Sequence, residues 1–274
     1  MEKEKVRLLA IQVESIIGEY DLNIDTCKNL ICANIEKYNG ADILFLPEVW
    51  TVGWEPSVFA DNAETLENSK AVKMLKEIAQ KHSVNIVGGS FIRKSNDGKL
   101  YNTCPVINRS GEVIAKYDKN HLYSYYGADE GKYNTAGDNP VMVDIEGVKL
   151  GLTICYDIRF PEIYRAYRKS GADILVNVAA WAKSKKIPWE SMVTSRAVEN
   201  QSYMVAINQT GLLADGTENL GDSMIINYEG KILDKIDENE GGIYAEINLN
   251  EMYAYREKCT ILNDIKKSYE VISL

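Results

Sequence analysis

Short apolar runs alternate with amphipathic stretches along most of the chain. The apolar runs predict strands at residues 6–13, 42–46, 85–93, 101–108, 112–118, 141–145, 148–154, 174–178, 203–208, 223–227, 231–235 and 243–247. Apolar residues at helical spacing predict helices at 24–38, 66–83, 161–170 and 188–200, with a short helix before a polar tail. Several strands are wholly apolar, which is typical of sheets covered on both faces. The pattern therefore predicts an α/β fold with helices packed on sheets.

The pentapeptide GADIL occurs twice, at residues 40–44 and 171–175. Each copy follows a predicted helix and opens a buried strand, which indicates two similar halves. Two helix-covered sheets that stack face to face form a four-layer α-β-β-α sandwich. No stretch rich in proline or glycine divides the chain. We therefore expect residues 1–274 to form a single domain, with a C-terminal tail from about residue 262.

Composition and charge exclude several classes of protein. The chain has 274 residues, 45% of them hydrophobic, which is enough for a large core. Its net charge of −9, without a basic run, argues against a nucleic-acid partner. No apolar run has membrane-spanning length, and the start MEKEKVRLLAIQVE lacks the apolar core of a signal peptide. We therefore expect a cytoplasmic protein without a membrane partner.

Cysteine and histidine content limits the disulfide and metal chemistry. The chain has two histidines and an odd number of cysteines: His82, His121, Cys27, Cys32, Cys104, Cys155 and Cys259. The irregular cysteine spacing argues against a disulfide framework. No Cys-x-x-Cys pair occurs, so a Cys/His zinc site would lack ligands. We expect no metal site.

The segment GLTICYDIRFPE, residues 151–162, places Cys155 where a buried strand ends and a helix is predicted to begin near Pro161. A sharp strand-to-helix turn exposes a nucleophile and directs backbone N–H groups towards it. Unpaired cysteines are usually inert packing residues, which is the expectation for the other four. Cys155 is therefore the candidate nucleophile.

A thiol with an ordinary pKa is mostly protonated at neutral pH, so it needs a base or a cation. Two other polar residues follow apolar strands: Glu48 in ILFLPE and Lys119 in VIAKYDK. Strand ends in layered α/β folds hold catalytic side chains and ligands. Glu48 could accept the thiol proton, and Lys119 could stabilise the thiolate and then the oxyanion. His121 could hold a loop, and a Cys–His dyad is possible but has no support in the sequence.

Three motifs in this order resemble the nitrilase superfamily of carbon–nitrogen hydrolases. They are LPE at 46–48, KYDKNHL at 116–122 and CYDIRFPE at 155–162. The segment SRAVENQSYMVAINQTG, at 195–211, is similar to the late helix–strand block of that family. The resemblance covers nearly the whole chain. It implies an α-β-β-α sandwich of the nitrilase type and a homodimer or higher homo-oligomer.

The resemblance also implies the roles of site residues. Cys155 would be the nucleophile, Glu48 the general base, and Lys119 the residue that stabilises the oxyanion with the backbone N–H of Tyr156. Glu130, in GADEGKY, would be a second carboxylate that positions the lysine and the substrate. The implied reaction hydrolyses a small amide with water through a thioester and needs no metal or organic cofactor.

The residues after Cys155 narrow the branch of the superfamily. Tyr156-Asp157 stands where true nitrilases usually carry Trp-Glu, and CYDIRFPE resembles the amidase branches. It resembles omega-amidases in particular, which act on dicarboxylic acid monoamides such as 2-oxoglutaramate; PEVWTVGW at 47–54 resembles the bacterial type. Another amidase, a carbamoylase or a nitrilase is the alternative. A non-catalytic binding protein and a thiol redox enzyme are alternatives of a different class.

Aromatic residues near these motifs are candidates for the substrate pocket, with plain core packing as the alternative. Arg159 either binds a substrate carboxylate or pairs with an acid such as Glu162 to support the turn. The expected substrate-binding residues are Trp54, Tyr125, Tyr156 and Trp181.

Overall fold

The structure is a computed structural model that describes residues 5–125, 129–266, 268 and 270–273. Its strands are β1 (Lys5–Gln12), β2 (Ile43–Phe45), β3 (Asn85–Val87), β4 (Phe91–Lys94), β5 (Leu100–Ile107), β6 (Val113–Asp118), β7 (Val141–Ile145), β8 (Val148–Ile154), β9 (Ile174–Ala179), β10 (Tyr203–Asn208), β11 (Ser223–Ile226), β12 (Ile232–Ile236) and β13 (Gly241–Asn248). Its α-helices are α1 (Tyr20–Lys37), α2 (Lys70–His82), α3 (Pro161–Lys169), α4 (Lys186–Asn200) and α5 (Leu249–Lys258).

Within the described part of the chain, the strands form two sheets. The seven-stranded sheet has the order β13-β1-β2-β3-β5-β4, with β6 paired to β5. The six-stranded sheet has the order β12-β11-β10-β9-β8-β7. The centre of each sheet is parallel: β1, β2 and β3 in one, and β8, β9 and β10 in the other. Parallel strands are joined by crossover connections, usually helices, and both faces of a parallel sheet are usually covered. The apolar sequences of these strands predict such burial on both faces.

Alternating residues of β1 show how the layers stack. Leu8 and Ala10 belong to the core between the sheets, together with Val176 of the second sheet. Leu9 and Ile11 point the other way, into the core formed with α1 and α2. Helices α3 and α4 pack against the second sheet, and their buried apolar residues are continuous with the first of these cores through that sheet. The predicted four-layer α-β-β-α sandwich is confirmed.

The two GADIL copies occupy equivalent places in the two sheets. The first copy opens β2, and the second opens β9. Asp42 accepts a hydrogen bond from the backbone N–H of Arg7 at 2.9 Å, and Asp173 accepts one from that of Lys149 at 3.0 Å. Each copy's glycine has a left-handed φ, of 92° and 94°, which glycine adopts without strain. The repeat therefore marks one helix–strand connection used twice.

One predicted strand is wrong in a way that matters for the site. The apolar run at 85–93 is broken into β3 and β4, because its middle turns to receive the loop after β2. Ser90 N donates to Pro47 O at 3.0 Å, and a Cβ on Gly89 would lie 2.1 Å from that oxygen. Only glycine allows this close approach. The break seats the loop that carries Glu48.

The helix boundaries also differ from those predicted. Helix α2 begins at Lys70 rather than at residue 66, because Ser69 caps it by accepting a hydrogen bond from Val72 N at 3.2 Å. Helix α1 begins at Tyr20, four residues before the apolar pattern starts. In the described ranges, no helix combines the length and the apolar character that crossing a membrane requires.

Candidate active site

Cys155 directly follows β8 and opens a 3₁₀ turn, Cys155–Arg159, after which α3 begins at Pro161. Its φ is 44°, in the left-handed region that residues other than glycine seldom adopt. Strain of this kind persists only where the surrounding structure enforces it. The structure thus contains the strand-to-helix turn that the sequence predicts, with Cys155 at its tip.

Asp157 fixes this turn. The side chain is fully buried, and its Oδ2 accepts hydrogen bonds from Ile154 N at 2.9 Å and Tyr117 Oη at 2.7 Å. Its Oδ1 accepts from the backbone N–H of His121 at 2.9 Å and faces the Nδ1 of the same residue at 2.7 Å. Tyr117 and His121 flank Lys119. One carboxylate therefore joins the nucleophile turn to the segment that carries the lysine.

The four predicted catalytic residues lie together. Lys119 Nζ donates to Glu48 Oε1 and to Glu130 Oε2, each at 2.9 Å. The side chains of all three are almost completely inaccessible to solvent. The charges of Glu48 and Lys119 both act on the Cys155 thiol. Strand ends from both sheets therefore meet around one thiol, one ammonium and two carboxylates.

The electrostatics of this cluster favour a protonated thiol beside a basic carboxylate. Burial raises the pKa of Glu48; Lys119 opposes this effect and Glu130 reinforces it. Burial alone would lower the pKa of Lys119, but the carboxylates of Glu130 and Glu48 outweigh it and raise that pKa. Burial raises the pKa of Cys155 well above its usual range, and the Glu48 charge adds to the increase. The thiol therefore needs to transfer its proton as it attacks.

Neither histidine hydrogen-bonds Cys155 within the described residues. The ring of His121 faces Asp157 and stacks on Phe160, with ring centroids 3.7 Å apart. His82 lies at the end of α2, with its Nε2 4.0 Å from Cys32 Sγ. Among the residues that the structure describes, no group of three or more histidine, cysteine, aspartate or glutamate side chains is arranged to hold a metal ion.

Sequence reasoning missed several groups that hold the carboxylates. Asn102 Nδ2 donates to Glu48 Oε1 at 2.8 Å, and Ala180 N donates to Glu48 Oε2 at 2.9 Å. The backbone N–H of Tyr123 donates to Glu130 Oε2 at 2.8 Å. The only signal in the sequence was Asn102 itself, a polar residue in the apolar run at 101–108. The backbone donors depend on which strands become neighbours.

A cavity of about 400 Å³ opens above Cys155. Its wall includes the predicted residues Trp54, Tyr156 and Trp181, together with Tyr123, Arg159 and Lys185.

Tyr125, the fourth residue expected to bind substrate, contacts the wall of this cavity. Its ring packs against that of Tyr123, with centroids 5.6 Å apart, and against that of Tyr156 at 6.5 Å. The Tyr125 ring therefore supports two residues of the cavity wall, Tyr123 and Tyr156.

Arg159 does not pair with Glu162. The expectation that this ion pair supports the turn is therefore wrong. Its guanidinium carbon lies 4.9 Å from the Trp181 ring centroid and 5.4 Å from that of Tyr125, at cation–π distances. Within the described residues it makes no ion pair, and its Nε is buried without a hydrogen-bond partner. The aromatic rings hold the guanidinium at the cavity, while Glu162 remains in the first turn of α3.

A four-layer α-β-β-α sandwich that gathers a cysteine, a lysine and two glutamates at its strand ends defines the class of nitrilase-type hydrolases. The model of the carbon-nitrogen hydrolase family matches residues 10–257. The chain belongs to that family.

Similar proteins agree with this assignment. The chain is 38% identical over 228 residues to a 2-oxoglutaramate amidase of Bacillus subtilis (strain 168), covering 83% of this chain and 86% of the relative. It is 31% identical over 274 residues to omega-amidase NIT2 of Bos taurus, covering 97% of each. The crystal structure of Saccharomyces cerevisiae Nit3, a member of the nitrilase superfamily, superposes with a TM-score of 0.87 at 24% identity, covering 94% of this chain and 95% of that one. This last similarity concerns the fold.

Proposed function

We propose that the protein is an amidase that hydrolyses a small linear amide to a carboxylic acid and ammonia. The observation that carries the proposal is the buried ion pair of Lys119 and Glu48, 2.9 Å apart, whose charges act on Cys155 in the wall of an open cavity. A thiol on a strained turn, beside a carboxylate and an ammonium, suits nucleophilic attack on an amide carbonyl.

In the first step, Cys155 Sγ attacks the carbonyl carbon while its proton passes to Glu48. The carbonyl oxygen becomes an oxyanion. Two of the three ammonium protons of Lys119 point at carboxylates, so the third serves the oxyanion together with the backbone N–H of Tyr156. Glu130 holds the ammonium in place through its 2.9 Å hydrogen bond.

In the second step, the C–N bond breaks as Glu48 returns its proton to the leaving nitrogen. Ammonia departs, and a thioester on Cys155 remains. Glu48 then takes a proton from water, whose oxygen attacks the thioester carbon. The carboxylic acid leaves, and the thiol recovers its proton. One carboxylate therefore serves both halves of the reaction.

We further propose that the substrate is the monoamide of a dicarboxylic acid, such as 2-oxoglutaramate. The names of the Bacillus subtilis and Bos taurus relatives support this substrate class. Arg159 supports it as well, because its guanidinium lines the cavity without an ion-pair partner in the described residues. A guanidinium presents parallel N–H groups that match a carboxylate.

Ammonia release from a small panel tests the proposal: 2-oxoglutaramate, succinamate, butyramide, butyronitrile and an N-carbamoyl amino acid. We expect ammonia from the amides, with the highest kcat/KM for the two monoamides that carry a carboxylate. Preferred turnover of the nitrile or the carbamoyl compound would instead favour those branches. Thiol-dependent reduction of hydrogen peroxide without any amide turnover would favour a redox enzyme, and binding without turnover a binding protein.

We also propose that the chain acts as one domain in a homodimer, joined through α3 and α4. Ile187 and Val198 on α4 support this assembly, since their side chains are 77% and 43% exposed. The tail from about residue 262 would cross to the partner; its residues 267, 269 and 274 lie outside the described residues. The cytoplasm is the proposed location, because it keeps unpaired thiols such as the five free cysteines reduced.

A further inference from the structure

A second cation, Lys185, lines the same cavity as Arg159. Its Nζ donates to Tyr123 Oη at 2.8 Å and lies 4.9 Å from the centroid of that ring. Its carbonyl oxygen accepts a hydrogen bond from Trp181 Nε1 at 2.9 Å. Both the backbone and the ammonium of Lys185 are therefore fixed by aromatic residues of the wall.

The ring of Tyr125 contacts both cations. Its ring centroid is 5.4 Å from the guanidinium carbon of Arg159 and 5.3 Å from Lys185 Nζ. The two charges are therefore no further apart than the sum of these distances. The π face of the ring attracts each cation, which offsets part of their mutual repulsion. Tyr125 does not line the cavity itself, yet it touches both charges that do.

Acidic residues of the same cavity are engaged elsewhere. Glu55 accepts a hydrogen bond from Ser57 N at 3.0 Å, where it caps a 3₁₀ turn. Asp215 accepts from the backbone N–H of Thr217 at 2.9 Å and from its hydroxyl at 2.6 Å. Within the described chain, neither carboxylate forms an ion pair. Each carboxylate is held by donors of its own turn, and the two cations on the aromatic wall favour an anionic group as the occupant of the cavity.

We propose that Lys185 is a specificity-determining residue that binds the terminal carboxylate of the substrate together with Arg159. Tyr125 is the positioning residue for both cations. This inference rests on the proposed function, in which the substrate carries a carboxylate at the end opposite the amide. A neutral amide offers neither cation a carboxylate to bind, and a site built for a charged group discriminates against a substrate that lacks it.

The matched substrates are succinamate and butyramide, which differ by a carboxylate in place of a methyl group. The readout is the ratio of their kcat/KM values. We expect Lys185→Gln to lower this ratio about 10- to 100-fold, the usual effect of removing a hydrogen bond to a charged group. Lys183→Gln is the control: Lys183 pairs with Glu218 and Glu238, does not line the cavity, and should leave the ratio unchanged.

Tyr125 variants test the positioning role through the same ratio. Tyr125→Leu removes the ring that contacts both cations and should lower the ratio, mainly by raising the KM for succinamate. Tyr125→Phe keeps the ring and should restore most of the ratio. Equal ratios for the leucine and phenylalanine variants would overturn the positioning role.

The outcomes separate the inference from the proposed function. A wild-type protein that prefers butyramide would overturn the proposed substrate class and the inference with it. A wild-type protein that prefers succinamate, with the same ratio in Lys185→Gln, would overturn the inference alone. Lys185→Met replaces the glutamine variant if that protein does not fold, and Lys185→Arg, which keeps the charge, should retain most of the ratio.

Discussion

At the scale of single residues, two strained backbone conformations lie at the proposed nucleophile and beside the proposed base. Cys155 has a φ of 44°, and Val49, which follows the proposed base Glu48, has a φ of 38°. A positive φ is a genuine outlier for a β-branched residue such as valine. Val49 N donates to Ser90 Oγ at 2.9 Å, so the turn that breaks the predicted strand also holds this conformation. At these two positions, the strained backbone directs the Cys155 side chain or the neighbouring Glu48 towards the site.

Lys119 should not be replaceable by arginine. Its ammonium lies 2.9 Å from two carboxylates in a site without solvent access, where a planar guanidinium cannot take the same position. Losing an oxyanion donor typically lowers kcat about 100- to 1000-fold, and we expect Lys119→Arg to show that loss. Steady-state kinetics on succinamate measures it, with Lys183→Arg as the exposed control. An arginine variant within tenfold of wild type would contradict this role.

Glu48 should set the acid limb of the pH profile. The ionised form is the active base, and burial raises its pKa, so kcat/KM should begin to fall at a higher pH than an ordinary glutamate would dictate. The Glu130 charge contributes to this increase. Glu130→Gln should therefore move the acid limb to lower pH, whatever its effect on the maximum rate. A limb that stays in place or moves to higher pH in this variant would show that another group titrates.

At the scale of secondary-structure elements, Asp157 links β6, the loop after it and the nucleophile turn. Asp157→Ala would leave buried donors of Ile154 and His121 without an acceptor, so the free energy of unfolding should fall by about 3 kcal/mol. Asp144→Ala is the control, because Asp144 is exposed and accepts one turn hydrogen bond, from Gly147 N at 2.8 Å. Urea unfolding compares the two, and equal losses would argue against the link.

The sequence predicts the bounds of an element correctly where the local pattern of apolar and turn residues determines them. β7, β8 and β10 have the predicted bounds, because each is an apolar run between turn residues. The break between β3 and β4 could not be predicted, since it depends on contact between Gly89 and Pro47, 42 positions apart in the chain. Glu48, Lys119 and Cys155 stood out because each follows a buried strand.

The remaining parts of the site depend on tertiary neighbours. Glu130 lies in a polar loop and was identified only through the family resemblance. Asn102 and Ala180 contribute because β5 and the end of β9 approach Glu48 in the folded chain. The direction of Arg159 depends on the rings of Trp181 and Tyr125, which no local pattern places beside it.

At the scale of the whole molecule, the exposed apolar residues of α4 predict a dimer. Sedimentation at micromolar concentration should give the mass of two chains. Ile187→Glu should shift the protein to a monomer, because it places a charge in the apolar contact. Ile16→Glu is the control, since Ile16 is 51% exposed but lies before α1, outside the proposed interface. A wild-type monomer, or equal effects of the two variants, would contradict this assembly.

Mass spectrometry of the intact protein mixed with succinamate decides whether Glu48 activates Cys155. Wild type should gain the mass of the acyl group during turnover, and Cys155→Ala should never gain it. Glu48→Gln should also remain unmodified, because the buried thiol has lost the carboxylate that takes its proton. His121→Ala should still acylate, since its ring faces Asp157 rather than the thiol. Acylation of Glu48→Gln at the wild-type rate, or a His121→Ala protein as inactive as Cys155→Ala, would show that Glu48 is not the base.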